Sequence, residues 1–356
     1  MNIISIYLLK KFVKYFIIIL LSLEAFFIAI DLFHSLKWLP ESANLQFLYI
    51  AYYSFFILTI TFPLSLVFAW IATITEIVKH SELVGFFALG YSYRNVLTPI
   101  LTLSTVLIII LLGLQATPLA YAEEQKARIL DNEYFSSYKE KLLLKYDNYF
   151  VYIEKLQPVL KKAENIKVFK IEDGNVVETI EAKNAIYQND RWYIVDAKVL
   201  TKPKDINWDT TKITVKREKF LYILEGFKPK ILDNVYESKS QYSISDAIEA
   251  FLLLREQGLS TDKIRSSLYQ QIVGSFFVIP TLVLIFIFTS INKRVFNIAK
   301  FSTVSIFLTL IVWGSLFLLY KLSIGGVLIP EFAILLPLVI LLILTRYFYV
   351  KRIKRI

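Results

Sequence analysis

Four stretches of this chain contain no charged residue: Ser42–Thr75, Asn95–Ala122, Ser266–Asn292 and Phe301–Tyr320, of 34, 28, 27 and 20 residues. A helix needs about 20 predominantly apolar residues to cross the hydrocarbon of a bilayer. Each run is long enough, and two further apolar segments near the ends bring the expected helices to six. They fall at roughly 12–33, 47–74, 96–117, 268–291, 301–321 and 329–349. Composition agrees, because 56% of the residues are hydrophobic where a soluble domain has about 45–50%. The first apolar segment is not followed by a small-residue cleavage site, so it reads as a retained helix and not a signal peptide.

The 356 residues include no cysteine and only two histidines, His34 and His80. Disulfides, thiolate chemistry and zinc ribbons are thereby excluded, and a histidine metal site or Ser-His triad is disfavoured. A net charge of +10 could suggest nucleic acid, but the excess is in the wrong place for that. Residues 122–265 hold 25 Lys/Arg and 24 Asp/Glu, whereas the remainder holds 15 and 6. The basic residues flank the apolar segments: Lys10, Lys11 and Lys14, Lys79 and Arg94, Lys293, Arg294 and Lys300, then Arg346, Lys351, Arg352, Lys354 and Arg355. The short loops opposite offer Lys37 and Lys321. The positive-inside rule places both termini in the cytoplasm and the 122–265 segment outside, in the periplasm of a two-membrane bacterium.

The expected organisation is therefore residues 1–121 with three spans, an inserted domain over 122–265, and residues 266–356 with three more spans and a basic tail. In the insertion, residues 123–140 read as a polar helix. Strands are expected at Tyr149–Leu156, Ile166–Glu172, Val176–Tyr187, Arg191–Leu200, Thr211–Arg217 and Lys219–Leu224. Turn signals at Asp173-Gly174 and Asn189-Asp190 separate several of them. Short strands at this spacing favour an all-β sandwich or barrel. After it, Ile244, Ala247, Ile248, Phe251 and Leu252 fall on one helical stripe with Gly258 as its cap, and Ser260–Asp262 can start a helix leading into span four.

Four groups of residues are candidate sites. Gly85 and Gly90 mimic the opening of a phosphate-binding loop, but Tyr91 and Ser92 follow where Lys and Ser/Thr are needed, so ATP is not bound there. The same segment reads as a short helix over about 81–90, capped by Ser81, with Glu82 in its first turn and Gly90 at its end. Its Leu83, Val84, Phe86, Phe87 and Leu89 suit either a membrane interface or the groove of a cytoplasmic partner, with Glu82 meeting a basic residue there. Glu24 is an acid inside the first span, with Asp31 seven residues on and on the same face; it suits a helix–helix hydrogen bond, a polar pathway or a proton site. Lys37 and His34, just beyond that span, can meet anionic headgroups. Pro63, Pro99, Pro118 and Pro280 are expected to kink or end spans.

The order of features resembles the LptF/LptG (YjgP/YjgQ) permease family of lipopolysaccharide export. The resembling stretches are YLLKKFVKYF, TFPLSLVFAW, SELVGFFALGYSYRNVLTPIL, DNYFVYIEKL, DGNVVETIEAKNAIYQNDRWYIVDAKVLT and IEAFLLLREQGLSTDKIRSSLYQQI. SELV-x₃-A-x-G-[YF]-S is the most specific of them. The YIEK, WYI and REQG stretches lean towards LptG.

The resemblance implies a six-span half-transporter with an inserted periplasmic jellyroll-like β-domain. A second six-span permease subunit, an ATPase dimer resembling LptB and an LptC-like periplasmic jellyroll protein would be its partners. It implies no cofactor in this chain, ATP being used by the partner ATPase, and lipopolysaccharide as cargo. The helix after span two would dock in the ATPase through Glu82, Leu83, Phe86, Phe87 and Leu89. Of the basic residues that follow span one in LptG-like chains, Lys37 matches, while Asp31 and Trp38 stand at other such places. The resemblance gives Glu24 no explanation. Two other classes compete: an ion-coupled transporter acting without an ATPase, with Glu24 as proton site, and a membrane-anchored enzyme using carboxylates such as Glu154 and Asp196.

Overall fold

The computed structural model describes residues 3–131, 139–146, 148–157, 160–172, 175–202, 214–227, 242–256, 260–289 and 297–353. The Asp173-Gly174 turn, the Gly258 cap, and Lys293, Arg294, Lys354 and Arg355 lie outside the described residues. Among the described residues six helical segments are long and apolar enough to cross a membrane: Ile3–Ser35, Ala43–Lys79, Tyr93–Gln115, Asp262–Phe288, Ile298–Ile324 and Glu331–Lys351. The first is helix α1, the second α2 and the third α4; the short helix α3, Glu82–Ala88, lies between the last two. Helix α5 is Ala122–Leu130.

Most of these helices extend several residues beyond their apolar cores, because flanking polar residues continue the backbone hydrogen bonds at little cost. Pro63 and Pro99 lie inside helices that continue past them. The expected helix before span four is present, Asp262–Val273, and passes through a short 3₁₀ turn, Gly274–Phe277, into the apolar Val278–Phe288. Packing centres on Trp70 of α2, which is fully buried and donates its indole N–H to the Leu282 carbonyl at 3.1 Å. Phe12 of α1 meets its ring edge-on at 6.4 Å and Phe286 lies 5.9 Å away. A buried indole needs such an acceptor, since an unpaired N–H in hydrocarbon costs free energy.

The described residues divide into two compact units, one built from 1–131, 242–248 and 261–356, the other from 132–241 and 249–260. The second carries six antiparallel strands in sequence order: β1 Lys139–Tyr146, β2 Tyr149–Gln157, β3 Lys162–Glu172, β4 Asn175–Gln188, β5 Arg191–Thr201 and β6 Thr214–Ile223. Between its flanking helices the described part of the insertion is β-structure, its strands neighbouring one another in sequence order as a meander.

Three local expectations change. The polar helix expected over 123–140 stops at Leu130, and Lys139–Tyr146 is the edge strand β1; its KEKLLLKY pattern has no strict alternation to announce a strand. The last two expected strands are one, Thr214–Ile223. The helix expected from Ile244 is present as Ile244–Glu256, but it buries Ala247, Ala250 and Leu254 and leaves Ile248 and Leu252 about half exposed. Of the expected stripe Ala247 is covered, and Ala250 and Leu254 join it in place of Ile248 and Leu252.

One face of the sheet is buried through Val151, Ile153, Ile166, Val168, Ile180, Ala185, Trp192, Ile194, Ala197 and Val199, joined by Leu224 and Phe227. Trp192 donates to the Phe227 carbonyl at 2.7 Å. Asn189 and Asp190 form a two-residue hairpin between the paired Gln188 and Arg191, with φ of 51° and 62°. Positive φ at both positions matches the right-handed strand twist and favours Asn and Asp there.

Alternation along the strands is broken along a single row. Lys141, Asn165 and Asp196 have φ of 57°, 51° and 55° inside β1, β3 and β5. The surrounding register places them in line with Glu154, Lys183 and Lys219, so that Lys141, Glu154, Asn165, Lys183, Asp196 and Lys219 cross the whole sheet. On either side of this row the inward phase flips: Ile153 then Leu156, Ala163 then Ile166, and Ile194 then Ala197 are buried. A crease of left-handed residues therefore keeps one face apolar along strands that would otherwise change sides. It explains why strict alternation is only partial in the sequence.

Candidate functional site

Helix α3 ends on Gly90, whose φ is 83°. The Gly90 N–H donates to the Phe87 carbonyl at 3.0 Å and the Tyr91 N–H to the Phe86 carbonyl at 3.1 Å. These paired bonds are the Schellman closure, which glycine permits without a Cβ clash. The start differs from expectation. Ser81 sits at φ 60° and its side chain makes no capping bond, so the turn out of α2 and not a serine cap sets the helix entry.

Glu82 faces back into its own chain. Lys11 Nζ lies 2.9 Å and 3.1 Å from its two carboxylate oxygens, and the Tyr7 hydroxyl donates to Oε1 at 2.9 Å. Lys11 also lies 3.3 Å from Glu76 near the end of α2. One cation thus joins α1, α2 and α3. Leu83 is 1% exposed, within the core, and Phe86 and Phe87 pack against that core. Of the five residues expected at a partner surface, Leu89 stands out, 74% exposed, and Val84 joins it at 44%. The reason is helical geometry: in a seven-residue helix, positions 83, 86 and 87 share one face, which the chain itself covers.

Glu24 and Asp31 both face α2, as their spacing requires. Glu24 is buried, accepts from the Thr61 hydroxyl, and has Ser54 Oγ at 3.3 Å. Asp31 accepts from the Tyr49 hydroxyl and from Lys126 Nζ, each at 2.5 Å, and Tyr49 is also 2.8 Å from Ser35. Lys126 stands over the Tyr53 ring at 4.1 Å and the Tyr49 ring at 5.3 Å, a cation–π arrangement that holds the amine. Sequence reasoning missed Lys126. It lies in the polar helix after span three, 95 residues from its acid, and nothing local links the two.

Beside it, burial raises the Glu123 carboxyl above its ordinary range, with Lys321 and Lys126 pulling the other way. His34 and Lys37 are exposed at the end of α1 and its following turn, and they do not join this cluster. Glu154 and Asp196, weighed as enzyme carboxylates, lie on the crease three strand spacings apart, about 14 Å, and Glu154 instead accepts from the Asn165 amide at 2.6 Å. That separation exceeds the span of a cooperating carboxylate pair, about 5–9.5 Å in glycosidases.

Six apolar spans, a charged clamp at a short interhelical helix and a large inserted β-unit define a polytopic transport subunit. The family model for the lipopolysaccharide export system permease LptF/LptG matches residues 6–351, nearly the whole chain. The chain belongs to the LptF/LptG family. It is a permease of the lipopolysaccharide-export ABC transporter, a transmembrane subunit of an Lpt transport complex in which LptB hydrolyses ATP. The family match does not distinguish LptF from LptG. No curated protein matches the chain significantly.

Proposed function

We propose that this permease works in the inner membrane with both termini in the cytoplasm, residues 1–121 and 266–356 each supplying three spans and residues 122–265 forming the periplasmic domain. It pairs with a second six-span subunit on an LptB-like ATPase dimer, withdraws lipopolysaccharide from the membrane and passes it to an LptC-like jellyroll protein. The chain itself holds no cofactor; ATP belongs to the ATPase. Lys37 and His34, exposed beside the first span, suit contacts with anionic headgroups.

The observation that carries the ATPase contact is the Lys11–Glu82 clamp with Val84 and Leu89 left outside. A helix anchored through one lysine to two spans transmits displacement of its exposed knob to those spans directly. In this arrangement Val84 and Leu89 enter the ATPase groove, while Glu82, Leu83, Phe86 and Phe87 hold the knob's angle.

The test is purification of the tagged chain from its native membrane in mild detergent, with mass spectrometry of what accompanies it. A soluble ATPase and a related six-span protein should accompany the unaltered chain, and Leu89→Arg should lose the ATPase while keeping the permease partner. A chain that purifies alone would sink the reading.

A further inference from the structure

The outward face of the sheet carries an exposed aromatic platform backed by cations. Tyr193 lies opposite Tyr222 in the β5–β6 register, and Val195 lies opposite Phe220. The Tyr193 and Phe220 rings are stacked, 5.6 Å apart and 12° from parallel, and Tyr222 leans on Tyr193 at 5.0 Å. Phe220 and Tyr222 are 62% and 55% exposed. Folding gains little from leaving such rings in water.

Three rows along from Phe220, Lys198 and Arg217 lie directly opposite one another. Like charges facing across a ladder are destabilising, and the acid on the other side of Lys198, Glu181, already has Lys167 at 3.1 Å. Between the rings and this pair runs the crease, where Lys183 and Lys219 flank Asp196. Lys198, Arg217, Lys183 and Lys219, with Asp196 among them, thus border Phe220 within about 10 Å along the strand at 3.3 Å per residue.

Strand alternation places Tyr193 and Val195 back to back with Trp192 and Ile194, which belong to the buried apolar face. Among the described residues β6 is an end strand of the sheet order. An amphiphile with its chains toward the apolar side can turn around that edge and lay its polar part on the rings.

We propose that the outer face of β5–β6 is a binding site for the phosphorylated oligosaccharide of lipopolysaccharide, with sugar faces stacking on Tyr193, Phe220 and Tyr222 and phosphate or carboxylate groups meeting Lys198 and Arg217. This rests on lipopolysaccharide being the cargo and adds the part of it that this domain recognises. Aromatic rings take the C–H faces of sugars, and phenol hydroxyls can bond the ring oxygens; cations supply the anion contacts.

The experiment uses the full chain in detergent and its reconstituted transporter in nanodiscs. The probe for binding is deacylated lipopolysaccharide, a soluble phosphorylated oligosaccharide, titrated calorimetrically. Phe220→Ser with Tyr222→Ser should weaken its binding about tenfold, the loss of roughly one stacking contact. Arg217→Ser should weaken it and reduce its salt dependence. In the reconstituted transporter the double variant should slow ATP-driven release of complete lipopolysaccharide and spare release of lipid A without sugars.

No binding by the unaltered chain, or equal binding by the variants, overturns the site. Equal slowing of both lipids, or loss of an accompanying protein with oligosaccharide binding unchanged, also overturns it and makes the patch a protein contact. If the unaltered transporter releases neither lipid, the permease reading fails instead.

Discussion

Lys11 and Glu82 are 71 residues apart in the chain, yet the ammonium of one lies within 3.1 Å of both carboxylate oxygens of the other. The pair is mostly shielded, with side chains 16% and 23% exposed, and Glu76 sits on the same lysine. Removing the cation would leave two acids facing each other at the junction of three helices.

Lys11→Met should therefore destabilise the chain more than Glu82→Gln does. A charge-assisted bond of this kind contributes about 1.5–3 kcal/mol, and the lysine variant adds acid–acid repulsion. Thermal unfolding in detergent would compare the two. A Tm loss for Lys11→Met no larger than for Glu82→Gln would show that the clamp does not share its cation with Glu76.

Glu24 separates the permease reading from an ion-coupled one. Glutamine keeps one oxygen to accept from Thr61 and sets its amide beside Ser54, whose hydroxyl met the other carboxylate oxygen, but it cannot release a proton. Glu24→Gln should leave ATP-driven lipopolysaccharide release within about twofold of the unaltered complex, since an interhelical bond of this type carries about 0.6 kcal/mol on average. Glu24→Leu, which leaves Thr61 and Ser54 facing hydrocarbon, should lower Tm. Loss of transport with glutamine, at unchanged Tm, would favour proton coupling.

Glu123 makes stability depend on pH in a stated direction. Burial raises its pKa in the folded chain above the ordinary carboxylate value, so the folded state binds the proton more tightly than the unfolded one. That contribution is complete below the ordinary value and is lost as pH rises through the raised one. Glu123→Gln should flatten this part of the Tm–pH profile and raise Tm at neutral pH. An unaltered acid-side slope in the variant would assign the dependence to other groups.

Asp196 tests the crease. Its φ of 55° is open to glycine and costly for a β-branched residue, by about 1–2 kcal/mol. Asp196→Gly should be tolerated and Asp196→Val should lower the unfolding temperature of the β-unit, read by limited proteolysis across a temperature series. Equal behaviour of the two variants would mean that the left-handed backbone at this position is dispensable.

Much of this protein was legible in its residues because its strongest forces are local in sequence. Charge-free runs declare spans, since the bilayer demands that every backbone group be satisfied within its own helix. Basic flanks suggested an orientation, and the SELV stretch led to the α3 helix. The β-insertion was legible through its turn residues, of which Asn189-Asp190 is a two-residue hairpin as expected. Strand β1 was not, since its lysines and leucines follow a polar helical stretch and alternate too weakly.

What tertiary structure decided is which polar groups meet. Sequence placed Glu24 and Asp31 on one face but could not say that Thr61 and Lys126 wait there. It did not foresee that Glu82 meets Lys11 of the first span, nor that Val84 and Leu89 are the exposed apolar residues of α3. It offered Glu154 and Asp196 only as examples of carboxylates an enzyme would use, and the register sets them three strands apart. Apolar burial is non-directional and follows from composition and period, whereas hydrogen bonds and ion pairs depend on distances of a few tenths of an ångström. Those distances exist only once helices far apart in sequence have packed.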